Sequence, residues 1–519
     1  MNNHWIIAPV LLPAFTAVLL VVAQRGGLRL QRLLSAASVV ALLAIAVGLW
    51  MLAQGGPLAY AVGDWPAPFG IFLVLDRLSA LMLLVAAVVA AAALAYAVLG
   101  WDRRGAHFHT LFHFQLLGIN GSFLTGDVFN LFVFFEILLI ASYGLVAHGG
   151  GAWRLKSGFQ YAAINLVGST VFLFAVGLMY GVTGTLNMAD LAVRVDDLPA
   201  GDHALLRVAA LLLFTVFAVK CALAPFHWWL PGTYSAGAAP AVALFAVLTK
   251  VGAYAIIRMH TLVFASDAAG VSASLQQLLL PAAAVTLVLG AIGVLASRTL
   301  LQLASHSIVA SMGTLLLAAA GLEERQLSAA LYYLLHSCLI GAALFLLVDL
   351  VAAGRGRLAD RLLPEAPAPR ALLLGTLFFV AGMAMVGMPP LSGFVGKVAI
   401  LDGLRGTPGG GVAWAVLLGG SLLLLVGYAR AGSTLFWKAP AAAGAGAGAG
   451  AMPLPAAGSP AGQSTAGPIA VVCLLLGATA ALSLLGGAVM EATNATAGEL
   501  LDRNLYIRAV LPAAPHLEP

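Results

Sequence analysis

The stretch KCALAPFHWWLPGTYSAGAAPAVALFAVLTKVGAYAIIR, residues 220–258, decides how this chain is read. Two lysines, Lys220 and Lys250, stand inside long apolar runs, and Pro225 interrupts the first run just past Lys220. A third lysine, Lys397, sits in GMPPLSGFVGKVAIL (387–401), and an acid, Glu136, in NLFVFFEILLIASYG (130–144). An ionisable group at bilayer depth costs at least ~2.5–3.5 kcal/mol on insertion scales. Four such groups in one chain need a reason, and a path for protons or ions is the usual one.

Composition sets the frame. The chain has 519 residues, 62% hydrophobic and 9% charged, with mean hydropathy +1.01. Soluble domains carry about 25% charged residues, so this is an all-α polytopic membrane protein. Cys221, Cys338 and Cys473 lie in apolar runs with no metal spacing and no disulfide framework, and read as small buried hydrophobes. The net charge of +5 is no nucleic-acid signature; it follows from where the arginines sit. The N-terminus, MNNHWIIAPVLLPAF, lacks a basic region and a cleavage site and reads as a retained first span.

A spanning helix needs ~20 apolar residues. That scale gives fourteen expected spans, near 5–24, 33–53, 77–99, 108–125, 128–147, 157–181, 205–230, 239–262, 273–296, 299–321, 327–352, 372–405, 411–436 and 468–490. Alternate loops then carry fourteen Lys and Arg on one side, from Arg25, Arg29 and Arg32 to Arg430 and Lys438, against eight on the other. The second side takes most of the acids, including Asp190, Asp196, Asp197, Asp202, Glu323 and Glu324. The basic side is expected to be cytoplasmic, which turns both termini outward.

Two spans are abnormal. The twelfth, 372–405, would run ~50 Å as one straight helix against a ~30 Å core, and Pro389 and Pro390 break it. The seventh, 205–230, breaks at Ala224-Pro225. Paired interruptions in two halves point to a transporter's site. Lys220 precedes its break and Lys397 follows its own, the order expected of two inverted repeats. The expected division is an N-terminal three-helix segment (1–107), a first repeat (108–262), a second repeat (273–437), a flexible Gly/Ala/Pro/Ser-rich loop (438–467), and a last helix with a short tail (468–519).

Burial disfavours a charged ammonium, and a nearby carboxylate favours it. A Glu–Lys pair in apolar surroundings is therefore a proton switch: closed, the lysine keeps its proton; pulled apart, the proton can leave. Nothing on its own span neutralises Glu136, and Lys220 is the expected partner from another helix. Lys250 shares a helix face with Tyr254, and His227, His306 and His336 lie in or beside spans. The bland alternatives are a static ion pair, or a snorkelling lysine at Lys397. His336 and His227 read equally as proton relays or as polar contacts between helices. Asp349 reads as an interfacial charge, Arg258 and His260 as ordinary helix-end residues, and His107, His109 and His113 as interfacial, with no metal site.

The stretches SFLTGDVFNLFVFFEILLIASYGLVA (122–147), residues 220–258 and GMPPLSGFVGK (387–397) resemble the fifth, the seventh and eighth, and the broken twelfth helices of a known superfamily. Its members are the antiporter-like subunits of respiratory complex I, membrane-bound hydrogenases and multisubunit Mrp-type cation/proton antiporters. GDVFNLFVFFEILLIASYGL (126–145) and YYLLHSCLIGAALFLLVDL (332–350) look closest to the D-type subunit of the Mrp/Pha/Mnh antiporters. The resemblance implies that Glu136 pairs with Lys220, that Lys250 is the central lysine, that His336 belongs to the polar axis and that Lys397 is the terminal lysine. Many relatives carry a lysine shortly after the histidine; here the run is Ser337-Cys338-Leu339-Ile340-Gly341.

The expected function is a proton-translocating subunit of a hetero-oligomeric Na⁺(K⁺)/H⁺ antiporter in a bacterial inner membrane, partnered by subunits like Mrp A, B, C, E, F and G. No cofactor motif appears, so a redox enzyme is not expected. A hard cation wants several oxygen ligands, and Glu136 is the one firm carboxylate within the spans; crossing of the cation in a partner subunit fits this. The rival readings are a proton-pumping subunit of complex I or a membrane-bound hydrogenase, and a structural scaffold.

Overall fold

The computed structural model describes residues 4–266, 270–356, 358–364, 370–438 and 465–511. Most of the expected flexible loop lies outside the described residues. An N-terminal group holds α1 (Ala8–Ala23), α2 (Leu28–Leu52), a hairpin of β1 (Leu58–Ala61) and β2 (Phe72–Leu75), and α3 (Arg77–Ala97). A first set follows: α4 (Phe108–Leu124), α5 (Val128–Ala147), α6 (Ala152–Thr183), α7 (Met188–Asp196), α8 (His203–Lys220), α9 (Trp229–Ala236) and α10 (Ala239–Arg258). The second set is α11 (Val271–Ala296), α12 (Leu300–Ala319), α13 (Glu324–Gly354), α14 (Ala371–Val386), α15 (Ser392–Gly403) and α16 (Gly410–Gly432). The chain closes with α17 (Ala466–Leu484), α18 (Gly486–Leu501) and α19 (Arg503–Val510).

Twelve helical segments among the described residues are long and apolar enough to cross a membrane. The fourteen expected differ from this by α4, at 17 residues, and by the broken pair α14 and α15, at 16 and 12. The antiparallel hairpin, Leu58 opposite Leu75, departs from an all-helical reading. Its four-residue strands sit between spans two and three, too short to register against the helical pattern. The last helix does not trail into a plain tail either: α18 and α19 fold back, and Ser328 on α13 bonds Thr493 at 2.9 Å.

Helices that are apolar all round belong in the middle of a bundle. All 20 residues of α10 are buried, and α3, α4, α8, α12 and α13 pack on it. Close approach is set by Gly252: a Cβ there would stand 2.9 Å from the Cys221 backbone nitrogen and 3.1 Å from the Phe217 carbonyl oxygen. Gly252 thereby seats α10 directly against the break that follows α8.

The two sets match in detail. Before α5, Asp127 forms an isolated antiparallel bridge with Asn187, and before α12, Thr299 forms one with Arg361. Flanking bonds repeat as well: Val128 N to Leu186 O and Met188 N to Gly126 O in the first, Leu300 N to Asp360 O and Leu362 N to Arg298 O in the second, all 2.8–2.9 Å. Asp127 caps α5 by accepting from Asn130 N, and Thr299 caps α12 by accepting from Gln302 N. Both sets contain a broken helix, α8–α9 and α14–α15.

At the first break the freed backbone groups find partners, as membrane depth requires. Trp229 Nε1 donates to the Val219 carbonyl at 3.0 Å, and Ala224 N donates to Thr286 Oγ1 on α11 at 2.7 Å.

The Gly252→Ala variant is expected to lose about 1–3 kcal/mol to overpacking against backbone. Gly177→Ala on α6, where a Cβ meets nothing within 4 Å, is expected to be neutral or slightly stabilising. Thermal unfolding of the two purified variants in one detergent checks this contrast.

Candidate functional site

Lys220 is the last residue of α8 and is buried. Its Nζ donates to Asn165 Oδ1 on α6 at 3.2 Å. Glu136, half-buried near the middle of α5, accepts from the Ser169 hydroxyl of the same α6. Asn165 and Ser169 are one turn apart, and Ser169 also donates to the Asn165 carbonyl at 2.9 Å. The expected pair is therefore joined through α6, and no direct ion pair between Glu136 and Lys220 occurs among the described residues. Gly168 lies beside this arrangement, where a Cβ would stand in ordinary contact with Lys220 Nζ at 4.0 Å. Sequence reading missed Asn165 and Ser169; the available signal was INLVGST (164–170), polar residues one helical turn apart around a glycine.

Lys250, midway along α10, is 0% exposed, and neither its Nζ nor the neighbouring Thr249 Oγ1 has a protein partner. His336, midway along α13, is also 0% exposed. Its Nδ1 meets Ser392 Oγ, the first residue of α15, at 2.9 Å, while the other side of the ring faces the Ala384 carbonyl without a bond of good geometry. Lys250 and Lys397 both lie within electrostatic reach of this ring. Ser337 Oγ on α13 is likewise buried without a partner. Buried polar atoms are normally satisfied, and each exception calls for an explanation.

Lys397, on α15, is buried and does not snorkel. Its Nζ donates to the Val386 carbonyl at 2.8 Å and to Ser421 Oγ on α16 at 2.7 Å. Val386 ends α14, so the ammonium caps the negative end of a half-helix. Gly387 turns the chain there with φ +85°. Gly393 closes the break: a Cβ would stand 2.0 Å from the Ala384 carbonyl oxygen and 2.9 Å from His336 Nε2. Pro389 and Pro390 lie in the turn between the half-helices, and Pro225 between α8 and α9.

The relay candidates divide. His227 and His306 are half-buried and within electrostatic reach of each other, with His306 Nδ1 on the Gln302 carbonyl at 2.9 Å. Tyr254 donates its hydroxyl to the Phe123 carbonyl at 2.7 Å.

Several readings of single charges change. Arg258 is no plain helix end: its Nη1 stands 2.5 Å from Asp76 Oδ2, both buried. His260 is buried beside Ser272. His109 and His113 are buried inside the bundle rather than interfacial. His109 joins Asp102, which Arg32 grips with two bonds of 2.6 and 2.7 Å. Burial alone pushes the Asp102 carboxyl up, and the bonds from His109 and Arg32 outweigh it, holding the group below the usual range. Asp349 accepts from Tyr96 OH at 2.8 Å and Trp101 Nε1 at 2.9 Å, an engaged acid rather than an interfacial one. Cys473 is exposed, unlike Cys221 and Cys338. Among the described residues no cluster of three or more His, Cys, Asp or Glu side chains is placed to hold a metal ion.

The chain is thus a multi-span helical bundle with two broken helices and with Lys220, Lys250, His336 and Lys397 buried inside it. The sequence model of the NADH:quinone oxidoreductase/Mrp antiporter transmembrane family matches residues 125–423, and the chain belongs to that family. It is 39% identical to the D subunit of a probable K(+)/H(+) antiporter of Rhizobium meliloti (strain 1021), covering 98% of both chains. It is 36% identical to the D subunit of an Na(+)/H(+) antiporter of Bacillus subtilis (strain 168), over 84% of this chain and 87% of that one. A chain in the solved Mrp complex from Dietzia sp. DQ12-45-1b superimposes with a TM-score of 0.85 at 28% identity, covering 98% of this chain and all of that one.

The Ser392→Ala variant removes the side-chain partner of His336 Nδ1 and is expected to cost about 1–3 kcal/mol. A lowered melting temperature of the purified protein checks this, and an unchanged one contradicts the bond.

Proposed function

We propose that this chain is the proton-translocating subunit of a hetero-oligomeric Na⁺(K⁺)/H⁺ antiporter in a bacterial plasma membrane. Protons pass through Glu136, Lys220, Lys250, His336 and Lys397, with His227, His306 and Tyr254 as relays. One observation carries the reading: the Lys250 ammonium is wholly buried without a protein partner, in a helix buried along its whole length. An intramembrane ionisable group marks an ion or proton path by default.

The α6 bridge gives the first step a physical form. Glu136 and Lys220 are held on neighbouring turns of α6 by Ser169 and Asn165. Closing the pair favours the charged lysine, and opening it frees the proton toward Lys250. Gly252 brings the helix of Lys250 against the chain just past Lys220. At the far side His336 lies within electrostatic reach of both Lys250 and Lys397.

The matched bridges, caps and breaks support residues 108–262 and 273–437 as the two inverted repeats. The arginine-rich side faces the cytoplasm and both termini face outward, on the strength of the loop charges. Partner subunits resembling Mrp A, B, C, E, F and G complete the exchanger. Glu136 is the one firm carboxylate that the sequence places within the spans, and a hard cation wants several oxygen ligands, which favours passage of the cation in a partner. Near-full-length similarity to chains named as antiporter D subunits supports an antiporter over a redox-driven pump.

Exchange driven by ΔpH in vesicles carrying the assembled complex, with Na⁺, K⁺ and Li⁺ compared, tests the reading. Glu136→Ala is expected to abolish exchange, Glu136→Asp to retain part of it, and Asn165→Ala to slow it several-fold with the complex still intact on a native gel. Equal rates for Glu136→Ala and Glu136→Asp would contradict the charge-pair role.

A further inference from the structure

Lys250, Tyr254 and Arg258 recur every four residues on α10 and so line one face of it. Arg258 Nη2 donates to the Tyr254 hydroxyl at 3.3 Å, and Nη1 pairs with Asp76 at 2.5 Å. Asp76 is fixed as the cap of α3, its Oδ1 accepting from Ser79 N at 2.8 Å. Next to it Arg77 Nε meets Glu499 Oε2 on α18 at 3.3 Å. The Tyr506 ring of α19 lies 5.1 Å from the Arg258 guanidinium. Side-chain exposure is 5% at Arg258 and 3% at Asp76, and rises to 10% at Glu499 and 22% at Arg77 beside them. The row thus leads from a buried, unpartnered ammonium to the rim of the bundle.

We propose that the Asp76–Arg258 pair is the proton-release gate of the Lys250 path, with Tyr254 as the step between them. This rests on the reading of Lys250 as part of a proton path. An N–H bond of the Lys250 ammonium breaks, and the proton moves by water to the Tyr254 oxygen, which turns from the Phe123 carbonyl and gives up its own hydroxyl proton by water toward Asp76. An O–H bond forms on Asp76. A neutral Asp76 no longer holds Arg258, whose guanidinium swings toward the Glu499 carboxylate. Asp76 then loses its proton to bulk water, and the pair closes again. No electrons are exchanged, and every proton given up at one atom is taken at the next. The charged and titratable groups facing Asp76 are Arg258 and Tyr254 of α10, Arg77 of α3, Glu499 of α18 and Tyr506 of α19.

The rival is a static clamp fastening α3 and the C-terminal helices to α10. A buried ion pair that loses one partner destabilises by ~3–5 kcal/mol, so the amount of complex must be separated from its turnover. Exchange is therefore measured per assembled complex in vesicles, for Asp76→Asn, Asp76→Glu, Tyr254→Phe and Lys250→Ala. A gate predicts that Asp76→Asn lowers turnover by at least about tenfold, that Tyr254→Phe lowers it several-fold, and that Asp76→Glu recovers much of the rate, all at unchanged KM for the cation. If Asp76→Asn fails to assemble, Tyr254→Phe decides alone. Turnover per complex within about twofold of the unmodified protein in Tyr254→Phe and in any assembled Asp76→Asn, with Lys250→Ala inactive, overturns the gate and leaves the path standing. Normal turnover in Lys250→Ala overturns the path itself.

Discussion

A charged ammonium at bilayer depth must be hydrated, paired or capped, and this fold meets that demand differently at each of three lysines. Lys397 is capped: its Nζ reaches the Val386 carbonyl exposed by the break between α14 and α15. Lys220 is tethered, at the end of α8, to a side-chain amide on α6. Lys250 has neither device, although it lies in a helix buried along its whole length. The break between α14 and α15 is what permits the cap at Lys397, because an unbroken helix keeps its carbonyls for itself. The central lysine is left without a fixed bond, and on the function proposed here a mobile proton answers the cost.

Two matched helix sets explain how the breaks come to face the same centre. In each, a short bridge ties the turn before the second helix to the segment after the third: Asp127 to Asn187, and Thr299 to Arg361. In each, a broken helix follows, and glycine admits a neighbour at backbone distance: Gly252 against Cys221, Gly393 against Ala384 and His336. A Cβ at either glycine would push the break off its neighbour. Packing at the breaks and placement of the ionisable groups are therefore one property of the chain, and the clash distances at these two glycines are its measure.

The sequence carried the large-scale answer because hydropathy, proline and charge are local signals. The spans, both breaks and the five expected path residues stand out as ionisable or helix-breaking residues in apolar runs. What it could not carry was identity of partner. Glu136 and Lys220 read as a direct pair, whereas Asn165 and Ser169 intervene; uncharged polar residues on a glycine-bearing helix look the same whether they pack or bridge. Arg258 and Asp76 sit at span ends, where charge is ordinary, so their pairing inside the bundle is visible only once α3 lies against α10. The hairpin of β1 and β2 and the return of α18 and α19 depend on contacts with distant segments, and no periodicity within them announces those contacts.

The account stands on a continuous, hydrated connection between Lys220, Lys250, His336 and Lys397. A density map of the assembled complex in lipid, fine enough to show ordered water, tests it most directly. The expected result is water bonded to Lys250 Nζ and His336 Nε2 and running on toward both broken helices. Tight apolar packing around those two atoms, with no water between the four groups, would contradict it.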